Sequence, residues 1–175
     1  SDDLNDERTL ASAAETFFWG NNYLQVQNEM PFYEAMMLLN TSSEKLDVLE
    51  LCGGEGRTTR LAVRHRLKTG GNFDLVTGVD LGCKRSQDAV YQLLESHDVM
   101  CVVMSPSCRA LGAPSALNMQ INYDSWQKHF LEDQPHVAFC GHVALRQMRR
   151  GRHFLSEQPN PTWIWTVKPW DQVEK

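Results

Sequence analysis

The stretch Val48-Leu49-Glu50-Leu51-Cys52-Gly53-Gly54-Glu55-Gly56 decides the reading of this chain. Leu46 to Leu51 is a short apolar run of strand length, and it passes directly into three glycines and then into a helical stretch from about Arg57 to Lys68. Glycines at 54 and 56 let the backbone turn tightly and let a ligand approach without a Cβ in its way. A strand, a glycine loop and a helix in that order form the opening unit of a nucleotide-binding α/β sheet.

Outward from this unit the pattern keeps alternating. Gly70 and Gly71 close the helix, and Phe73 to Val79 reads as a second strand ending at Asp80, 24 residues past Gly56. An acid there is placed to accept the hydroxyls of a ribose. Ser86 to Ser96 is expected to be a helix with Ala89, Val90, Leu93 and Leu94 on one face. Val99 to Met104 is a continuous apolar run, the mark of a strand buried on both faces. Tyr123 to Leu131 and Val137 to Arg150 read as two helices, His153 to Ser156 as a short strand, and Trp163 to Val167 as another. Strands alternating with helices predict an α/β fold with a mostly parallel, doubly wound Rossmann-like sheet. In such sheets the ligand lies beyond the carboxyl ends of the strands.

Before this region the sequence differs in character. Residues 6 to 40 carry Leu10, Ala14, Phe17 and Phe18, then Tyr33, Met36, Met37 and Leu39, a helical pattern broken at Gly20-Asn21-Asn22. The expected organisation is a helical extension over residues 1 to 45 and one α/β domain over residues 46 to 175.

Composition narrows the classes. The 175 residues carry 42% hydrophobic and 22% charged side chains, which suits a globular protein with a real core. No run approaches the roughly 18 to 20 apolar residues that span a bilayer, so no membrane association is expected. The five cysteines, Cys52, Cys83, Cys101, Cys108 and Cys140, are odd in number and form no CxxC pair. That pattern predicts reduced thiols and an intracellular setting, nucleus or cytoplasm, and its spacing resembles no metal motif. A net charge of −5 argues against non-specific coating of nucleic acid, but leaves room for a local basic site.

Glu50-Leu51-Cys52-Gly53-Gly54-Glu55-Gly56 resembles the first motif of the class I S-adenosylmethionine-dependent methyltransferases, an acid followed by spaced glycines. The resemblance covers about residues 46 to 160 and implies a reduced methyltransferase fold with S-adenosylmethionine as cofactor. It places Glu50, Cys52, Gly53, Gly54 and Gly56 at the methionine part. Asp80 falls at the ribose, and Leu81, Ser105 and Pro106 are expected among the cofactor-binding residues. Met104-Ser105-Pro106-Ser107-Cys108 is similar to the Pro-Cys motif of the cytosine carbon-5 DNA methyltransferases, with Ser107 where that family has proline. On this resemblance Cys108 is the nucleophile that adds to ring carbon 6. Glu157, 49 residues further on, matches the family's glutamate, which stabilises the ring charge at nitrogen 3. Minimal domains with a Ser-Pro-x-Cys motif in retroelement-type polyproteins are similar too.

The chain departs from the family in places. Only one helix fits between Asp80 and Val99, so the family's third strand is missing and the expected lateral order is 2-1-4-5. The family's arginine motif and target-recognition domain have no counterpart, so other chains or domains are expected to supply target recognition. Arg146, Arg149, Arg150 and Arg152 form a basic cluster, read either as a helix end complementing its dipole or as a contact to nucleic-acid phosphates. Two functions follow: methyl transfer to a nucleic-acid base, or a methyltransferase-like domain kept as a binding or assembly module for RNA, DNA or a protein partner.

Overall fold

The computed structural model describes residues 45–173, so the expected helical extension lies outside the described residues. Four strands form one all-parallel sheet: β1 (Lys45–Leu51), β2 (Thr69–Phe73), β3 (Asp98–Met104) and β4 (His153–Ser156), in lateral order β2-β1-β3-β4. That order matches the expected one once the missing strand is left out. Four helices accompany the sheet: α1 (Arg57–Arg64), α2 (Lys84–Ser96), α3 (Ala113–Ile121) and α4 (Tyr123–Arg149). The chain is an α/β protein. Among the described residues no helix is long and apolar enough to cross a membrane.

β1 pairs with β3 in unbroken register, Leu46 opposite Val99, Leu49 opposite Val102 and Leu51 opposite Met104. These six side chains are all buried, but the expected burial of β3 on both faces is incomplete, since Met100 is exposed and Cys101 and Val103 are half-buried. Val90, Leu93 and Leu94 of α2 and Val137, Phe139, Cys140, Val143 and Ala144 of α4 complete the core with Ile164 and Trp170. Tyr91 meets Phe139 edge to face, ring centroids 5.2 Å apart, where α2 and α4 touch.

The second strand differs from expectation. It runs over Thr69–Phe73, and α1 ends at Arg64 rather than Lys68. Gly70 and Gly71 therefore sit inside a strand and do not close a helix. A Cβ on Gly70 would lie 2.7 Å from Leu49 Cδ1, so the glycine lets β2 lie close against the core. Leu75–Thr77, expected as strand, is a 3-10 turn capped by Asp74, whose carboxylate accepts from Val76 N while Thr77 Oγ1 accepts from Asp74 N.

Two further expectations are corrected. The segments read as two helices form a single one, α4, with Pro135 inside it. Trp163 to Val167 is not a strand: Ile164–Thr166 is a 3-10 turn. Ala113–Ile121, assigned to no element from sequence, is a helix with Pro114 in its first turn, where a missing N–H does no harm.

Candidate functional site

At the carboxyl ends of β1 and β3 the chain leaves in opposite lateral directions, toward β2 on one side and β4 on the other. The crevice at such a point is where open parallel sheets place ligands. The Cys52–Gly56 loop lines one wall and the Ser105–Cys108 turn the other, joined by a bond from Ser105 N to Leu51 O at 3.1 Å.

Glu50 is 3% exposed and faces inward. Its Oε2 accepts from Thr59 N at 2.8 Å and Thr59 Oγ1 at 2.7 Å, and its Oε1 accepts from Thr58 N at 3.3 Å. The carboxylate thus satisfies the first free amides of α1 and lies at the positive end of its dipole. Gly53 is required by this arrangement, because a Cβ there would lie 2.3 Å from Glu50 Oε1. Sequence reading placed Glu50 at a ligand; its carboxylate instead faces the helix.

β2 ties down the loop. Gly53 N donates to Asn72 Oδ1 at 3.2 Å, Asn72 Nδ2 donates to Gly54 O at 2.8 Å, and Gly54 N donates to Asp74 Oδ2 at 3.0 Å. Cys52, Gly54 and Gly56 all have left-handed φ, at 55°, 56° and 64°. Above Gly54 a Cβ would meet nothing within 4 Å, so the loop is open to the crevice there. Cys52 Sγ lies 3.9 Å from Cys140 Sγ of α4. The contact with Cys52, and then burial, hold the Cys140 thiol well above its ordinary range.

The acid at the end of β2 is Asp74, not Asp80. Asp80 follows the 3-10 turn, exposed, with Oδ1 accepting from Gly82 N at 2.7 Å and Oδ2 unpartnered among the described residues. Leu81 is buried beside it. Asp74 was not singled out from sequence, although an acid immediately after Asn72-Phe73 was its signal.

The Ser105–Cys108 turn is anchored on α4. Ser107 Oγ donates to Asp133 Oδ2 at 2.6 Å, and Ser107 N donates to His136 Nε2 at 3.3 Å. Arg109 forks onto the same Asp133, Nη2 to Oδ1 at 2.7 Å and Nε to Oδ2 at 3.2 Å, and reaches Glu132 at 3.0 Å. A proline at 107 would remove both the hydroxyl and the N–H, which gives the serine its physical reason. Asp133 and His136 escaped the sequence reading because their partners are more than 20 residues away; Arg109 was read as a cation beside the Cys108 thiol. Cys108 is exposed, its carbonyl closing the turn to Leu111 N and Gly112 N, and its thiol has no partner among the described residues. Arg109 bonds to the acids instead of the thiol.

Glu157 lies just past β4, exposed, with its N–H on Met104 O. Gln158 Nε2 donates to Pro106 O at 2.7 Å, so the Glu157 and Cys108 loops are side by side. The arginine cluster lies at the opposite, amino-terminal edge of the sheet. Arg146 and Arg150 both bond Leu94 O and Glu95 at the end of α2, and Arg152 forks onto Asp98 at the start of β3, both bonds 2.6 Å. Arg149 is exposed nearby. Among the described residues no group of three metal-ligating side chains converges.

Burial holds the His136 imidazole below its ordinary range, against the opposing pull of Asp133, Asp80 and Asp74. Its folded pKa is therefore below the unfolded value of about 6.5. The unfolded chain takes up the proton first, so this contribution to stability is full above about pH 6.5 and is lost as pH falls through the folded value. His136→Gln keeps an acceptor for Ser107 N without titrating. Urea midpoints measured at neutral pH and about one unit below 6.5 are expected to drop less in His136→Gln than in the wild type.

No protein-family model, curated protein or solved structure matches the chain.

Proposed function

We propose that the chain binds S-adenosylmethionine in the crevice between the Cys52–Gly56 loop and the Ser105–Cys108 turn, within a reduced Rossmann-like methyltransferase fold. Methyl transfer to a nucleic-acid base, cytosine carbon 5, is its activity. One observation carries the reading: the Glu50 carboxylate already occupies the amides of Thr58 and Thr59 at the start of α1. Dinucleotides place a pyrophosphate on such a helix end. Here a phosphate would meet a buried carboxylate at the same donors, with Asp74 and Asp80 adding to the repulsion. These acids suit a ligand that offers ribose hydroxyls and positive charge, as S-adenosylmethionine does in its sulfonium and ammonium groups.

The residues present fit this group. The open space above Gly54 would take its amino-acid part, with Gly56 turning the loop against Asn72 behind it, the Asp80 carboxylate its ribose, and Leu81, Ser105 and Pro106 its flanks. When bound, the cofactor supplies an electrophilic methyl group. The chain's own residues do the rest. Cys108, exposed on its turn, gives its thiol proton to water and adds through sulfur to ring carbon 6 while Glu157 from the adjoining loop holds a proton at ring nitrogen 3. Once carbon 5 carries the methyl group, loss of its proton to water restores the double bond and breaks the bond to sulfur. The bond from Gln158 to Pro106 keeps the two loops in register.

A second reading, a domain kept for binding or assembly, is favoured by the Cys108 thiol itself. Among the described residues no base or cation is held against it, because Arg109 and His136 are committed to Asp133, Glu132 and Ser107.

Isothermal titration of the folded wild type with S-adenosylmethionine is expected to show saturable binding. Asp80→Ala, which removes one contact to Gly82 N, should weaken it by roughly 1–3 kcal/mol. Absence of binding by folded wild type would end the cofactor reading. Where binding holds, a 5-fluorocytosine oligonucleotide is expected to trap a covalent adduct that Cys108→Ser abolishes. Binding without an adduct selects the second reading.

A further inference from the structure

A cavity of about 540 Å³ opens between α3, α4 and the segment after β4, on the far side of the turn that carries Cys108. This volume is within the range of sites that enclose small organic ligands, roughly 300–1,000 Å³. Its floor is Ala110 and Leu111, and its walls include three aromatic rings, Trp126 and Phe130 from α4 and Trp163 from the C-terminal segment. Trp126 and Phe130 are stacked, 5.5 Å between centroids and 17° between planes.

The walls are fixed without any ligand. Trp126 Nε1 donates to Ala110 O at 3.1 Å, and Trp163 N donates to Leu111 O at 2.8 Å. Ser115 Oγ is engaged with Ala110 O and Gly112 O. The Trp126 indole and the Ser115 hydroxyl are therefore satisfied, and most of the surface left to a ligand is apolar. Three lining side chains differ: the Trp163 indole N–H, the Gln134 amide and the Lys168 ammonium have no partner among the described residues.

We infer that this cavity binds a planar aromatic ring system carrying one anionic group. The ring lies against Trp126, Phe130 and Trp163, where flat π-surfaces match best in offset or edge contact. Lys168 takes the anion as a point charge, and Gln134 offers both a donor and an acceptor to a ring substituent. Two sources carry this chemistry: a free aromatic carboxylate, and the base and phosphate of a nucleotide. The site is distinct from the Gly54 crevice and does not depend on the cofactor reading.

Quenching of tryptophan fluorescence in the full chain tests it, with 2-naphthoate and cytidine monophosphate as probes and 2-naphthamide as the uncharged control. Saturable quenching by at least one anionic probe at millimolar concentration or below is expected, and the responding probe identifies the source. Lys168→Ala is expected to weaken the anionic probe about tenfold and leave 2-naphthamide unchanged, which is the scale of one charge-assisted contact. Trp163→Ala should remove most of the binding. Should that variant fail to fold, Ala116→Phe, which fills the cavity from α3, serves in its place. No saturation with either anionic probe overturns the proposal. So does binding indifferent to Lys168→Ala and to the cavity variant.

Discussion

Glu50→Ala is expected to destabilise the protein by about 3 kcal/mol, the sum of a lost helix cap and of buried donors left unsatisfied. Three hydrogen bonds disappear together, those from Thr58 N, Thr59 N and Thr59 Oγ1, and Thr59 is itself buried. For a chain of this size that is roughly 6–12 °C in thermal midpoint. Glu50→Gln keeps the volume and one acceptor oxygen, yet turns an NH2 group toward amides that themselves donate. Its loss should be smaller, about 1–2 kcal/mol. Thermal unfolding of both variants checks the ordering. A Glu50→Ala protein as stable as the wild type would show that α1 does not depend on the carboxylate, and would remove the argument against phosphate ligands.

Trp170→Ala should be the most damaging single truncation, at about 3–5 kcal/mol. Trp170 is fully buried, donates from Nε1 to Val137 O at 2.8 Å, and meets Trp165 edge to face at 5.6 Å. Gly141 makes room for it: a Cβ there would lie 2.9 Å from Pro169 Cδ and 3.1 Å from Trp170 Cδ1. The C-terminal segment is thus part of the core, and its loss is a large share of the roughly 5–15 kcal/mol that stabilises a domain. Urea unfolding measures it. A midpoint within error of the wild type would mean the indole contributes little.

The parts legible in the sequence are those whose pattern has one cause. β3 is an apolar run of strand length in the middle of a sheet; Val99, Val102 and Met104 are buried, while Met100, expected buried with them, is exposed. β2 was misplaced because Thr69-Gly70-Gly71-Asn72-Phe73 is poor in strand formers; only the packing of Leu46, Leu49 and Leu93 against Gly70 explains the glycine. The same slip moved the strand-end acid from Asp74 to Asp80. The glycine loop was legible as a loop, and the carboxyl ends of β1, β3 and β4 were correctly placed at one edge. What Glu50 does was not, since an acid before glycines reads the same whether it faces a ligand or the helix behind it. The Ser107–Asp133–Arg109–His136 cluster joins a turn to a distant helix, and only the fold brings its members together. The arginine cluster carried two readings, and three of its members bond the end of α2 and the start of β3 within the chain.

Pro135 has a consequence for how the molecule comes apart. It supplies no N–H, so the carbonyl of Leu131 lacks its helical donor. Of the buried residues of α4, only Asp133 precedes it; Val137, Phe139, Cys140, Gly141, Val143, Ala144 and Gln147 all follow. The two lengths of this helix therefore differ in cooperativity. The second opens only with the whole core, while the first is held by few buried contacts and opens at lower free energy. Trp126 and Phe130 stand on the first length. Asp133 and His136 stand on either side of the proline, so the turn bearing Cys108 is moored across the boundary between a part that yields and a part that does not.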